Sequence, residues 1–212
     1  MKYSDLKEEK KLRKRKFKCV VGLDEAGRGP LAGPVVAAAV TVLPGSGNMR
    51  LAQKLRLRDS KKLSVKKREE LAGILTNHPA IRWEISRVSE KTIDRINVLQ
   101  ATRLAMKKAV ERLARKKPGI DFLILDGNMK IDSPVAQKSI VKADEKVFSC
   151  AAASIIAKTA RDGIMARMHK KHPCYGFDRH KGYPTKLHLA MIQKHGPCRI
   201  HRKSFKPLKQ FY

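Results

Sequence analysis

Residues 18–34 read KCVVGLDEAGRGPLAGP and join an apolar run to two adjacent acids and a glycine turn. The run at 19–23 is typical of a buried strand, and Asp24-Glu25 ends it. Burying a carboxylate is unfavourable unless it is paired or binds a metal. The pattern therefore indicates either a metal or catalytic site, or an ordinary polar turn where the strand reaches solvent.

Further strands and helices are predicted from the periodicity of apolar residues. Residues 33–43 are a second interior strand, antiparallel to the first because the connection is short. Residues 80–88 alternate as a half-exposed third strand, 120–125 form a buried fourth, and a short strand is expected around 139–141. Helices are predicted from Ser64 to about 77, from Ser89 to about 116, and over 147–162. Their inward positions are Val65, Leu71, Ile74 and Leu75 on the first, and Ile93, Ile96, Leu99, Met106, Val110 and Leu113 on the second.

The charge balance points to a polyanionic partner. The 212 residues include 48 Lys and Arg against 19 Asp and Glu, a net charge of +29, which favours nucleic acid over a merely solvated cationic surface. Residues 1–18 carry nine Lys and Arg against three acids, and 161–212 carry thirteen against two. We expect a basic arm over 1–17, helical or disordered, that either grips phosphates non-specifically or, as is preferred, is a solvated tail. One domain is expected over 18–212, including a C-terminal helical extension from about 163.

The cysteines and the hydropathy indicate a cytoplasmic protein. Cys19 and Cys150 lie within apolar runs and are expected to be small core residues, and the four cysteines form no paired framework. No stretch resembles a membrane span or a signal peptide. His195, Cys198 and His201 raise the question of a zinc site, but their spacing matches no common structural site, so basic surface is preferred.

Acids follow three predicted strands. Besides Asp24-Glu25, Asp126 ends the fourth strand and Asp144 precedes a helix. Strand ends at one edge of a sheet converge, so these four carboxylates are expected to share one site. Their hard oxygen ligands suit two Mg²⁺ or Mn²⁺ ions. Two such ions indicate hydrolysis of a phosphodiester. Taken singly, Asp126 is equally a turn residue and Asp144 equally a helix N-cap, while Asp162 is expected to be structural.

The turn Gly27-Arg28-Gly29 offers backbone N–H groups that a phosphate or sugar can approach closely. A dinucleotide-binding fingerprint is rejected, because Pro30 interrupts the spacing and a strand follows instead of a helix. Tyr183 lies in a basic loop, where stacking on a base or sugar and core packing are both open. Core packing is favoured for Tyr175.

These residues together resemble the ribonuclease HII family, the type 2 ribonucleases H. The resemblance runs in order from about residue 18 to 205 and is carried by several motifs. They are Asp24-Glu25-Ala26-Gly27-Arg28-Gly29-Pro30, Asp59-Ser60-Lys61-Lys62-Leu63, Asp126-Gly127-Asn128, residues 142–162, Gly182-Tyr183-Pro184-Thr185, His188-Leu189, Gly196-Pro197, Ile200-His201-Arg202 and Ser204-Phe205.

The resemblance implies an α/β ribonuclease H-like fold, a mixed five-stranded sheet flanked by helices with a C-terminal helical extension. It implies a monomer that cleaves the RNA strand of RNA–DNA hybrids and incises 5′ of single ribonucleotides in duplex DNA, leaving 3′-hydroxyl and 5′-phosphate ends. Asp24, Glu25, Asp126 and Asp144 would hold two Mg²⁺ or Mn²⁺ ions. The Gly27-Arg28-Gly29 turn would contact the ribose 2′-hydroxyl, Tyr183 would stack on the adjoining deoxyribose, and Lys61 and Lys62 would contact phosphates.

Ala143 and Cys150 depart from the residues usual in this family, with effects expected on packing only. The sister type 3 enzymes differ in the turn after the acid pair and in an added N-terminal domain, which favours type 2 here. Two other functions stay open. One is a non-catalytic basic protein that binds RNA or hybrids, and the other is a nuclease of the same fold that acts on DNA alone.

Overall fold

A mixed five-stranded sheet forms the centre of the fold. The computed structural model describes residues 3–45, 48–57, 60–116 and 119–211. The strands are arranged in the order β3-β2-β1-β4-β5, with β2 antiparallel to β1 and β3, and β4 and β5 parallel to β1. This confirms the predicted sheet. The strands are β1 (Val20–Ala26), β2 (Val35–Val42), β3 (Ile81–Val88), β4 (Phe122–Asp126) and β5 (Ala136–Ile140).

Helices cover both faces of the sheet. One face packs against the apolar sides of α3 and α6, and the other against α4. None of the helices in the described ranges is both long and apolar enough to cross a membrane. The helices are α1 (Lys7–Lys14), α2 (Asn48–Leu55), α3 (Val65–Asn77), α4 (Glu90–Lys116), α5 (Ala143–Lys146), α6 (Phe148–Lys171), α7 (Phe177–His180) and α8 (Lys186–His195).

The predicted caps are correct, but part of the predicted inner faces is exposed. The Ser64 side chain accepts a hydrogen bond from the Lys67 N–H and begins α3. Val65 and Ile74 of α3 lie in solvent, because the buried stripe runs through Arg68, Leu71, Ala72 and Leu75. These two inward assignments were wrong.

A break inside α4 explains the other misassigned position. Asn97 has φ 63° and ψ 165°, and its Oδ1 accepts a hydrogen bond from the Gln100 N–H at 3.0 Å. The second part of the helix therefore starts in a new phase, with its own cap. If the apolar face is extrapolated through Asn97 as in a continuous helix, Leu99 is placed inward, whereas the Leu99 side chain is exposed.

Asp162 lies within a helix and not at its end. The helix predicted over 147–162 continues to Lys171. Asp162 accepts hydrogen bonds from Arg68 Nη2 at 3.0 Å and Lys158 Nζ at 2.7 Å. The ion pair with Arg68 ties α6 to α3, and the one with Lys158 lies within α6. Both agree with the structural role expected for Asp162.

The basic arm packs against the domain, and its interpretation as a solvated tail was wrong. In α1 the Leu12 side chain is buried against Val20, Phe122 and Val147. Glu9 is also buried, and its Oε1 accepts hydrogen bonds from the backbone N–H (2.9 Å) and the hydroxyl (2.8 Å) of Ser149. Glu9 thereby caps the first turn of α6. The division of the chain at residue 17 stays a prediction.

Replacing Leu12 tests whether the arm contributes to stability. Leu12→Ala should lower the free energy of unfolding by about 2–5 kcal/mol, the usual effect of truncating a buried leucine. Urea denaturation measures this, with exposed Lys11→Ala as the control that should change little. Equal stability of Leu12→Ala and the unmodified protein would show that the arm does not pack in solution.

Candidate active site

Strand pairing brings the predicted acids to one edge of the sheet. β1 and β4 run parallel, with Leu23 opposite Leu125, so Asp24 and Asp126 are the next residues on two adjacent strands. Asp126 Oδ1 accepts a hydrogen bond from the Ala143 N–H at 2.6 Å. That bond fixes the start of α5, and Asp144 follows directly. Sheet register thus places Asp24 and Asp126 side by side, and the sharing of one site by all four acids stays a prediction.

The carboxylates of Asp24, Glu25 and Asp126 repel one another. Asp24 is buried, and its pKa is well above the ordinary range because of desolvation and the neighbouring charges of Glu25 and Asp126. Desolvation and Asp126 also raise the pKa of Glu25, which Arg28 opposes from 3.4 Å. Asp24 has hydrogen bonds from the Glu25 N–H at 2.7 Å and from the Ser154 side chain. Arg28 and Lys61 therefore offset the negative charge of the site only in part, since the pKa of Glu25 stays raised.

The four predicted carboxylates are the type of ligand that a hard divalent cation prefers. All four predicted ligands offer carboxylate oxygens, and Asp24 and Asp144 are buried. Within the described residues, no three or more His, Cys, Asp or Glu side chains already stand in an arrangement that could hold a metal ion. The fit thus rests on charge and ligand type, and the side chains would have to close around a cation.

A cleft of about 490 Å³ lies beside the acids. The glycine turn and Tyr183 face each other across it, and a Cβ added at Gly29 would lie 3.8 Å from Tyr183 Cε1. Tyr183 is partly exposed, and Lys158 Nζ and the Arg161 guanidinium lie 5.7 and 5.9 Å from its ring centre. The cleft is lined by Glu25, Ala26, Gly27, Arg28, Gly29, Ser60, Lys61, Val98, Ser154, Lys158 and Tyr183.

Some predicted residues lie outside this cleft. Lys62 does not line it, and its Nζ pairs with Glu145 at 2.7 Å. Asp24, Asp126 and Asp144 are also absent from its lining, so Glu25 is the one predicted ligand among the described residues that line it. Asp59 belongs to the basic motif of the sequence but lies outside the described residues. Tyr175 is buried among apolar and histidine rings, which confirms its assignment to the core.

The sequence interpretation missed several residues that shape the site. Ser154 and Lys158 are one turn apart on α6, so helical periodicity from the apolar block could have placed both on one face. Arg161 follows Lys158 by three residues on the same helix face, but its buried contacts, like those of Arg202, have no signal in the sequence. Both are completely buried, and their acceptors are backbone carbonyls up to 175 positions away in sequence. Only the tertiary fold reveals them.

Two buried arginines hold the glycine turn from below. Arg161 donates to the carbonyls of Pro34 (3.0 Å) and Ala32 (3.1 Å). Arg202 donates to the carbonyls of Gly27, Arg28 and Gly33 at 2.6–3.0 Å. A guanidinium has five donors in a rigid plane, which suits several carbonyls at once. The turn is thus held by charged donors in the absence of regular secondary structure.

A histidine network supports the loop that carries Tyr183. His188 Nδ1–H donates to the Tyr183 carbonyl at 2.9 Å, which leaves Nε2 as an acceptor. His201 Nδ1 accepts from the Cys198 N–H at 2.9 Å, so its Nε2–H donates to His188 Nε2 at 3.1 Å. Both rings are neutral in this arrangement. Protonating either would set two N–H groups against each other.

The two glycines of the turn should respond differently to substitution. Gly27 has φ +100°, and an added Cβ would overlap Arg161 Nε and lie 2.7 Å from the Pro34 carbonyl oxygen. Gly29 has room for a methyl group. Gly27→Ala should therefore lower the free energy of unfolding by about 1–3 kcal/mol or more, and Gly29→Ala should change it little, as measured by urea denaturation. Equal effects would contradict the described turn.

The histidine network predicts a loss of stability in mild acid. Burial lowers the pKa of His188 and of His201 from 6.5 to about 4. Between these values the unfolded chain binds protons at the two histidines that the folded chain does not, so their contribution to stability falls as pH drops from about 6.5 towards 4 and is constant above it. Urea denaturation at pH 7.5 and 5.0 measures this. His201→Gln should reduce the pH dependence, whereas the distant His78→Gln should retain it, and an unchanged slope in His201→Gln would refute the assignment.

Comparison with known proteins identifies relatives along most of the chain. A family model described as Ribonuclease HII matches residues 21–208. The ribonuclease HII of Chlorobaculum parvum is 51% identical over 193 residues, which cover 88% of this chain and 89% of the relative. The ribonuclease HII of Chlamydia caviae is 47% identical over 194 residues, with 92% and 87% covered.

Solved structures share the fold. The ribonuclease HII in the PCNA:RNase HII complex from Archaeoglobus fulgidus superposes with a TM-score of 0.70 at 29% identity, covering 89% of this chain and 95% of that one. Bst-RNase HIII, solved in complex with Mn²⁺, gives a TM-score of 0.71 at 17% identity, covering 92% and 69%. The second likeness concerns the fold alone. From the family model and the relatives it follows that this chain belongs to the ribonuclease HII family.

Proposed function

We propose that this chain is a divalent-metal-dependent endoribonuclease that also incises duplex DNA on the 5′ side of a single embedded ribonucleotide, leaving 3′-hydroxyl and 5′-phosphate ends. As a member of the ribonuclease HII family, it is a nuclease that hydrolyses RNA in RNA–DNA hybrids. The observation that carries the proposal is the grouping of buried Asp24 with Glu25 and Asp126, which together with burial raises the pKa of Asp24, next to a cleft of about 490 Å³ that Glu25 and the glycine turn line.

The four acids are proposed to hold two Mg²⁺ or Mn²⁺ ions. Asp24 and Glu25 follow one another at the end of β1, and Asp126 and Asp144 come from β4 and α5. When bound, such ions supply activation of the attacking water and stabilisation of the leaving 3′ oxygen. The protein's part is to align the carboxylates, since burial and mutual repulsion raise the pKa of Asp24 and oppose its deprotonation in the absence of a cation. The hydrogen bonds to Asp24 from the Glu25 N–H and the Ser154 side chain favour its charged form.

The glycine turn is proposed to recognise the ribose. Among the described residues, the backbone N–H groups of Arg28 and Gly29 have no hydrogen-bond acceptor, and both residues line the cleft. A 2′-hydroxyl can accept from such donors, and it is the group that distinguishes RNA from DNA. The Tyr183 ring, with cations on one side, is proposed to stack on the adjoining deoxyribose.

Cations around the cleft are proposed to contact phosphates. Lys61 lines the cleft and its charge lowers the pKa of Glu25, so it lies close to the acids. Lys158 is one helical turn from Ser154 on the same wall. Lys62 would contact the substrate only after exchanging its ion pair with Glu145. The net charge of +29 favours binding of a polyanion at low salt. Monomeric state and cytoplasmic location stay predictions.

The same charge would serve a non-catalytic protein that binds hybrids, and this is the second candidate. In such a protein, buried acids that repel one another would lower stability and would not contribute to phosphate binding. Incubation with duplexes that contain one ribonucleotide, a full RNA strand or DNA only, with Mg²⁺ or Mn²⁺, separates the candidates. No product with either metal would favour the binding protein, and cleavage of the all-DNA duplex would favour a DNA nuclease.

Asp24→Asn tests the site assignment. It removes a carboxylate that the mechanism needs, so cleavage of a duplex with one ribonucleotide should fall by several orders of magnitude while its affinity changes little. Gel assays of product and fluorescence anisotropy of binding measure the two quantities. Asp132→Asn removes an exposed carboxylate paired with Lys107 and should cleave normally. Normal turnover by Asp24→Asn with Mg²⁺ would refute the assignment.

A further inference from the structure

Arg202 is a buried cation whose guanidinium bonds to backbone carbonyls of the glycine turn and of Gly33 and lies over the Phe205 ring. Its exposure is 0%, and its Nε donates to the Gly33 carbonyl at 3.0 Å. Its two terminal nitrogens donate to the carbonyls of Arg28 at 2.9 Å and Gly27 at 2.6 Å. Within the described part of the chain, no carboxylate forms an ion pair with it. The carbonyl oxygens are therefore the nearest groups that compensate the positive charge of Arg202.

These bonds fix the direction of two successive peptide planes. A trans peptide unit is planar, and its C=O and the following N–H point in opposite directions. The Gly27 carbonyl belongs to the same plane as the Arg28 N–H, and the Arg28 carbonyl to the same plane as the Gly29 N–H. Since Arg202 draws both oxygens into the interior, both N–H groups point away from it.

The outward side of these planes is the cleft. Arg28 and Gly29 line it together with Tyr183, and their N–H groups find no acceptor in the described residues. A positive guanidinium on the carbonyl oxygen also polarises the peptide and strengthens the N–H as a donor. Arg202 thus both aims and strengthens these two donors.

Arg161 completes the support by linking the turn to the loop of Tyr183. Its guanidinium donates to the carbonyls of Ala32 and Pro34, which follow the glycine turn. It also donates to the carbonyl of Lys181, in the loop that carries Tyr183, at 3.0 Å. The Leu31 N–H also donates to the Gly182 carbonyl at 2.8 Å. The donors aimed by Arg202 and the ring of Tyr183 therefore stand at a fixed separation.

We propose that Arg202 is a positioning residue for ribose recognition, because its guanidinium turns the Arg28 and Gly29 N–H groups towards the 2′-hydroxyl of the substrate. The inference rests on the proposed function. It assigns selectivity for a ribonucleotide to a residue that does not line the cleft. A lysine keeps the charge but cannot bond three carbonyls in one plane, so Arg202→Lys separates orientation from charge.

The experiment measures discrimination. Affinities for a duplex with one ribonucleotide and for the same duplex in DNA are compared by anisotropy, in the non-cleaving Asp24→Asn background. Arg202→Lys should lower the affinity ratio about tenfold, the effect of misplacing two hydrogen-bond donors, while binding of the all-DNA duplex stays the same. Arg112→Lys, which alters a guanidinium bonded to the Ile85 carbonyl away from the cleft, should keep the ratio. An unchanged ratio in folded Arg202→Lys would overturn the inference.

Amide hydrogen exchange in the Asp24→Asn protein decides the matter if Arg202→Lys does not fold. The Arg28 and Gly29 amides should be protected by the duplex with one ribonucleotide and not by the all-DNA duplex. Equal protection by both, or protection by neither, would overturn the inference. Failure of the unmodified protein to cleave the ribonucleotide duplex would instead refute the proposed function, so the two failures are distinguishable.

Discussion

Repulsion among buried carboxylates at the carboxyl ends of β1 and β4 is the constraint on which the site depends. The parallel pairing of Leu23 with Leu125 makes the adjacency of Asp24 and Asp126 a consequence of sheet register. Burial then raises the pKa of Asp24 well above its ordinary range. A fold selected only for stability would replace such acids, since neutral residues would pack there at lower cost. The arrangement makes physical sense if cations join the acids during function, as we propose.

Buried arginines provide the opposite charge a short distance away. Arg161 and Arg202 lie beneath the glycine turn, and burial lowers the pKa of Arg202 to about 9, so it stays charged at neutral pH. Backbone carbonyls satisfy both guanidinium groups. The C-terminal extension therefore contributes more than basic surface. It supplies Arg202, and through His188 it supports the loop of Tyr183. One packing arrangement thus places the acids that we propose to bind cations beside the amides that we propose to bind the substrate.

Local signals predicted the strands and the helix caps, because each depends on neighbouring residues. Ser64 and Ser89 both receive the hydrogen bond expected of an N-cap, and the motif at Asp24-Glu25 was sufficient to suggest ligands. Predictions failed where distant contacts decide. Asn97 resets the phase of α4, so Leu99 is exposed. Glu9 and Leu12 bury a segment whose charge suggested a solvated tail. The arginine contacts of the turn had no local signature at all.

Stability with and without divalent metal tests the central claim most directly. Urea unfolding of the unmodified protein and of Asp24→Asn can be compared at pH 7.5 in EDTA and in excess Mn²⁺. The account predicts that Mn²⁺ stabilises the unmodified protein strongly and Asp24→Asn much less. In EDTA, Asp24→Asn should be the more stable of the two, since a repelled buried charge is gone. An unmodified protein indifferent to Mn²⁺, and destabilised by Asp24→Asn in EDTA, would contradict the account.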